Sequence, residues 1–231
     1  MYFAGDDYLL LAPYNGGSSA YIAVAFKATM TSWFKPMSLA TGEDGCIVIK
    51  QQMLEGYDST TIALHLKEDG QLSTKIGFPD IRAGSWDGFA REFAYMNVAA
   101  TDVVLNKWHH WLWTINGHDG IKLDSSVYFN GVKKASYYNG SIGYFSYPDE
   151  FMAVAASYTH GPGGAGDYVM HEMYHGYMYE LKVYMDTKTS YYVLNMYATE
   201  FSDTCVGYGG CDLCPEAANG DKICIPNCDE N

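Results

Sequence analysis

Residues Asn106–Ala135 read NKWHHWLWTINGHDGIKLDSSVYFNGVKKA, and this stretch decides the fold class. WHHWLWTI and SVYFNGV are strand-length runs rich in aromatic and β-branched residues, and NGHDG between them is turn material. Asn130 with Gly131 is a dipeptide suited to tight hairpin loops, whose central residues take positive φ. The same grammar extends outward. In HLKEDGQLSTKI, Asp69 with Gly70 again separates two strand runs. YLLL, AYIAVAFKATM, CIVIK, TIALHL, LSTKIGF, FMAVAASY and YELKVYM are further strand-sized pieces. Turn signals recur about every ten residues and no long helical pattern alternates with the strands, so the expectation is an all-β sandwich or barrel. One short helix is expected in SYYVLNMYATEFS, near residue 190.

Composition narrows the function. The 231 residues are 48% hydrophobic and 18% charged, enough apolar material for a substantial core. The net charge of −13 repels phosphate backbones and anionic lipid, so no nucleic acid is expected as a partner. No apolar run approaches the ~20 residues that cross a bilayer, so no membrane insertion is expected. The opening MYFAGDDYLLLAPY lacks the basic start of a secretory signal. Five of the six cysteines, however, crowd between Cys205 and Cys228, a density typical of oxidising compartments. An extracellular or cell-surface location follows, with the chain starting after a removed signal or inside a longer protein.

From these pieces the chain resembles a laminin-G-like, or concanavalin A-like, jelly-roll domain. YFAGDDYLLL resembles that family's first strand and AYIAVAFKATM its second. The Trp-His-His strand leading to Asn-Gly resembles a middle stretch of the family, and HGYMYELKVYM a late strand. In the last, Gly176, Glu180, Leu181 and Tyr184 match, while Tyr179 stands where Asp is usual. The resemblance implies a two-sheet antiparallel β-sandwich over residues 1–204, followed by a cysteine-rich, disulfide-rich extension over 205–231 that distantly resembles EGF-like modules. It implies binding of glycans, proteins or calcium, and in some relatives glycan hydrolysis.

Hydrolysis requires two carboxylates facing one cleft. The acidic pairs here, Asp6 with Asp7, Glu43 with Asp44, Glu68 with Asp69 and Asp149 with Glu150, are adjacent in sequence and would point to opposite faces of a strand. They read as turn residues, and the chain is not expected to be an enzyme. HEMYH tests that expectation, because His171, Glu172 and His175 spell the zinc-peptidase signature. On a helix the two histidines converge on one metal; on a strand they stand about 13 Å apart, too far to share it. Gly176 and the Tyr-rich continuation favour the strand.

The tail, Cys205, Cys211, Cys214, Cys224 and Cys228, reads as disulfides, with four thiolates on a structural zinc as the alternative. Five is odd, so either Cys46 pairs with one of them or a partner lies outside the chain. Aromatics in Gly-, Ser-, Asp- or Pro-rich segments are candidate sugar platforms: Trp33, Tyr57, Trp86, Tyr138 and Tyr147. Asp6, Asp7, Asp149, Glu150 and Asp167 are candidate calcium donors, calcium being the one cofactor the resemblance implies. Asn139 begins an Asn-Gly-Ser glycosylation acceptor. The function expected is a non-catalytic, lectin-like recognition or adhesion module of a larger surface protein, with a glycan or extracellular protein as partner. The alternative is a self-assembling subunit of an extracellular filament or coat, since abundant Tyr and few charges also suit protein interfaces.

Overall fold

A computed structural model describes residues 1–11, 27–39, 41–51, 60–79, 91–118, 122–139, 151–160, 168–184, 186–193 and 197. The described strands form two six-stranded antiparallel sheets and a separate hairpin. Sheet one runs, edge to edge, β1 (Tyr2–Ala4), β14 (His175–Tyr184), β3 (Lys27–Pro36), β8 (His109–His118), β9 (Lys122–Phe129) and β10 (Val132–Asn139). Sheet two runs β2 (Leu9–Leu11), β11 (Phe151–Val154), β4 (Gly45–Gln51), β5 (Thr60–Leu66), β6 (Leu72–Pro79) and β7 (Arg91–Val98). The hairpin pairs β12 (Ser157–His160) with β13 (Tyr168–His171). This is the two-sheet sandwich expected from the sequence.

Strand alternation explains the layers. Met30, Phe34, Trp111, Trp113, Val127 and Phe129 of sheet one meet Ile62, Leu64, Ile76, Ala94 and Met96 of sheet two in one buried cluster. The indole N–H groups inside it are satisfied: Trp111 Nε1 donates to Thr74 Oγ1 of the opposite sheet at 3.0 Å, and Trp113 Nε1 to Ser125 Oγ at 2.7 Å. A buried indole without an acceptor would carry a desolvation cost of about 1–3 kcal/mol, so each Trp needs its hydroxyl partner.

Turn chemistry follows the sequence in the two hairpins singled out. Asn130 and Gly131 take φ of 49° and 76°, and Val132 pairs with Phe129. Gly70 takes φ of 86°, in a loop closed by the Lys67 N–H donating to Gln71 O at 2.8 Å.

Two expectations change. YFAGDDYLLL is two strands in different sheets, because the chain bends at Gly5 and Asp6, with Gly5 at φ of 92°. FMAVAASY likewise breaks at Ala155, whose φ is 67°, into β11 and β12. The helix expected near residue 190 is present as a helical turn over 190–193. Residues 205–231 lie outside the described residues.

Candidate functional site

HEMYH is a strand, a turn and a second strand. His171 ends β13, Glu172 takes φ of 50°, and His175 opens β14. The two imidazoles serve different neighbours: His171 Nε2 meets Thr159 Oγ1 at 2.8 Å, while His175 Nδ1 meets Ser38 Oγ at 2.7 Å and its Nε2 meets Tyr2 Oη at 2.9 Å. The helical convergence of a zinc peptidase is therefore not formed, and that reading of the motif falls.

Glu172 turns inward to different partners. Its Oε2 meets His65 Nε2 at 3.2 Å, and Ser157 also hydrogen-bonds the carboxylate. Burial alone would raise the Glu172 pKa, but the hydrogen bonds and charge of His65, with Ser157 and Lys67, hold it below the usual carboxylate range. Cys46 stands directly opposite His65 across the β4–β5 ladder. One ligand atom from each of Cys46, His65 and Glu172 lies within 4.8 Å of the other two. Cys46 is a free, fully buried thiol packed beside Ile49, Ala63, Ala153 and Tyr158. The tail cysteines, its candidate disulfide partners, lie outside the described residues. Burial, then the negative charges of Glu172 and Asp44, push the Cys46 thiol well above its ordinary pKa. Beside the cluster, Asp44 and Lys67 form an ion pair, and with Glu68, Asp69 and Gln71 they line an open depression of about 490 Å³.

The second feature is aromatic. On β14, Gly176 and Met178 are buried, so alternation sends His175, Tyr177 and Tyr179 to the outer face of sheet one. Tyr2 of the neighbouring β1 packs on Tyr177 with ring centroids 4.8 Å apart. Lys35 Nζ lies over the Tyr177 ring, 5.3 Å from its centroid. Tyr2 and Tyr179 are 46% and 45% exposed, large for aromatics anchored in a sheet. Further along the same face the wall is closed: Tyr197 stacks on Trp33 at 5.6 Å and packs on His110 at 5.5 Å, and Val193 packs on Leu112 and Tyr128.

The candidate platform residues from the sequence fare differently. Trp33 lies within β3, 6% exposed under Tyr197, and is a packing residue; TSWFKP reads as a loop in sequence, but its register with β8 and β14 makes it a central strand. Tyr138 is exposed, on the edge strand β10 rather than in a loop. Tyr57, Trp86 and Tyr147 lie outside the described residues. Of the candidate calcium donors, Asp6 and Asp7 sit in the bend between β1 and β2, where Asp7 Oδ2 accepts from the Ala4 N–H at 3.3 Å. Asp149, Glu150 and Asp167 lie outside the described residues. Asn139 closes β10, and the rest of its acceptor motif is outside them too. Tyr2 and Tyr179 were not singled out from sequence, though the alternation in GYMYE, with Met178 facing inward, carries the signal.

Two sheets of this topology define a jelly-roll sandwich of lectin type, and the sequence match agrees. The chain belongs to the concanavalin A-like lectin/glucanases superfamily, matching over residues 3–191. No curated protein matches the sequence. Among solved structures, the receptor-binding domain of botulinum neurotoxin D is similar at 12% identity and a TM-score of 0.56, covering 87% of this chain and 43% of that one. The receptor-binding domain of mosaic serotype C/D is similar at 11% identity and a TM-score of 0.58, covering 86% and 41%. A serotype D binding domain solved in complex with N-acetylneuraminic acid is similar at 10% identity and a TM-score of 0.55, covering 84% and 40%. The chain thus spans about two fifths of the length of each of these structures, and at these identities the likeness is one of fold.

Proposed function

We propose that this lectin-like sandwich is an extracellular, non-catalytic recognition module that binds glycan through the outer face of β1 and β14, as one part of a larger surface protein. The observation that carries this reading is the pair of half-exposed rings, Tyr2 and Tyr179, flanking Tyr177 with Lys35 over it. A pyranose presents a face of C–H groups that stacks on the electron-rich face of an aromatic ring. The adjacent Tyr2 hydroxyl, held by His175 Nε2 at 2.9 Å, keeps a further hydrogen-bonding position beside the rings to read a sugar hydroxyl. One similar structure holds an acidic sugar; here the net charge of −13 opposes anionic ligands and favours neutral glycans.

A glycan array spanning neutral and sialylated structures, run with the wild type and with Tyr2→Ala and Tyr179→Ala, tests the proposal. Selective binding of neutral glycans is expected, about tenfold weaker in each variant. Equal binding by all three proteins would refute the assignment of the face. Absence of glycan binding together with concentration-dependent growth in light scattering would favour the filament or coat subunit instead.

A further inference from the structure

The structure assigns a transition-metal site, fit for Zn²⁺, to Cys46, His65 and Glu172, on the outer side of sheet two away from the aromatic face.

Three ligands arrive from three separate elements, each fixed by backbone pairing. Cys46 and His65 are register partners on β4 and β5, so both side chains leave the same face of the sheet. Glu172 belongs to the turn after β13, and that turn is bound to β4: the Cys46 N–H donates to Glu172 O at 2.6 Å, and Met173 bridges to Cys46 in parallel. Glu172 holds a positive φ there, a conformation uncommon for a residue with a side chain, and its carboxylate is aimed at His65. Ser157, opposite His171 in the hairpin, hydrogen-bonds the carboxylate and orients it, a supporting contact of the kind that metal ligands usually have.

The donor set selects the ion. One soft thiolate sulfur, one imidazole nitrogen and one hard carboxylate oxygen make a mixed set that suits the borderline Zn²⁺, and a poor match for Ca²⁺, which takes six to eight oxygens. Zinc bonds of about 2.0–2.3 Å place tetrahedral ligands within ~4 Å of one another, close to the separation already present. Binding replaces the His65–Glu172 hydrogen bond by two bonds to the metal: His65 ligates as the neutral imidazole with its one proton on Nδ1, so the Nε2 proton moves to Nδ1 through solvent, and the Cys46 thiol proton is released to solvent. The side chain of His65 is 10% exposed and that of Glu172 32%, so the ion enters from the Glu172 side, where a water completes the tetrahedron. With Cys46 and His65 on the sheet and Glu172 on the turn, the ion clips the β13–β14 turn to the centre of sheet two.

The test is titration of the full-length, reduced, chelator-stripped chain with Zn²⁺ and with Co²⁺, whose thiolate complexes absorb by charge transfer. Wild type, Cys46→Ser and Glu172→Gln are compared. The wild type is expected to bind one ion at this site with a cobalt–thiolate band, and each variant to lose that band and at least about 100-fold in affinity. Glu172→Gln preserves shape and hydrogen bonding, so it reports on ligation even where Cys46→Ser disturbs packing. Failure of the wild type to bind either ion would overturn the assignment. So would unchanged affinity and spectrum in both variants, which would place the ion on the tail cysteines.

Discussion

The two sheets have the same number of strands and share one core, yet their outer faces are finished in opposite ways. Over β11, β4 and β5 the outer face of sheet two carries Ile49, Ala63 and Ala153, all nearly inaccessible, and is sealed by the β12–β13 hairpin through Tyr158 and Met170, whereas at β7 the same face leaves Tyr95 exposed. The outer face of sheet one carries aromatic and polar side chains, covered at one end by Val193 and Tyr197 and open at the other along β1 and β14. A sheet that is small and apolar on both sides must have a lid. A sheet faced with Tyr, His, Lys and Thr can leave part of itself in water and present it to a ligand.

Mutations can break this contrast, beginning with the lid. Tyr158 is 1% exposed, and Tyr158→Ala should cost about 4 kcal/mol in denaturant unfolding, because the hairpin loses its anchor and a cavity opens over Ala63. A loss below about 1 kcal/mol would mean that the hairpin seals nothing.

The next effect belongs to the covered end of sheet one. His110 is fully buried against Trp33 and Tyr197, its Nδ1 without a partner and its Nε2 2.6 Å from Thr31 Oγ1. Burial, then the nearby Lys182 charge, drives its pKa down to about 3. The folded state therefore keeps it neutral, whereas the unfolded chain takes up a proton below about pH 6.5. Stability from this group is complete above that value and is lost as pH falls toward 3. Between pH 7 and pH 4 the loss should reach about 3 kcal/mol. His110→Gln should remove that part of the acid dependence, measured as the difference between the two proteins' unfolding free energies across the range. Parallel pH curves would contradict the burial argument.

Smaller still are changes on the open end. Tyr179→Ala should alter stability by less than about 1 kcal/mol while weakening glycan binding, since the ring is half in water. Back at the covered end, Lys188→Ala removes a cation that sits 4.8 Å from the Tyr184 ring and 4.6 Å from the Tyr192 ring. It should cost about 0.5 kcal/mol, resolved by thermal unfolding in low salt.

The same contrast explains what the sequence could reveal. The hairpin at Asn130 and Gly131 was legible because a positive φ has a residue signature, and so was the loop at Asp69 and Gly70. The break at Ala155 and the turn at Glu172 were not, because residues with ordinary side chains hold positive φ there under tertiary constraint. Trp33 looked like a loop aromatic because its strand is rich in Thr and Ser and ends in Pro36; only pairing with two neighbours shows it to be central. The Cys46, His65 and Glu172 cluster leaves no motif at all: its members are widely separated in sequence and meet only through the β4–β5 register and the turn after β13. HEMYH supplied the right glutamate and the wrong companions.

The position of β14 has a consequence for how the chain reaches this state. It lies between β1 and β3, two of the earliest strands, with Tyr2 paired to Tyr177 and Phe34 to Met178. During synthesis the edges of both early strands that face β14 must wait unpaired until β14 leaves the ribosome. Contacts of such large sequence separation make folding slow, and exposed strand edges invite pairing with other chains. Nascent chains truncated before residue 175 should therefore depend on chaperones and aggregate when released, whereas chains extending beyond residue 184 can close the sheet and become protease resistant.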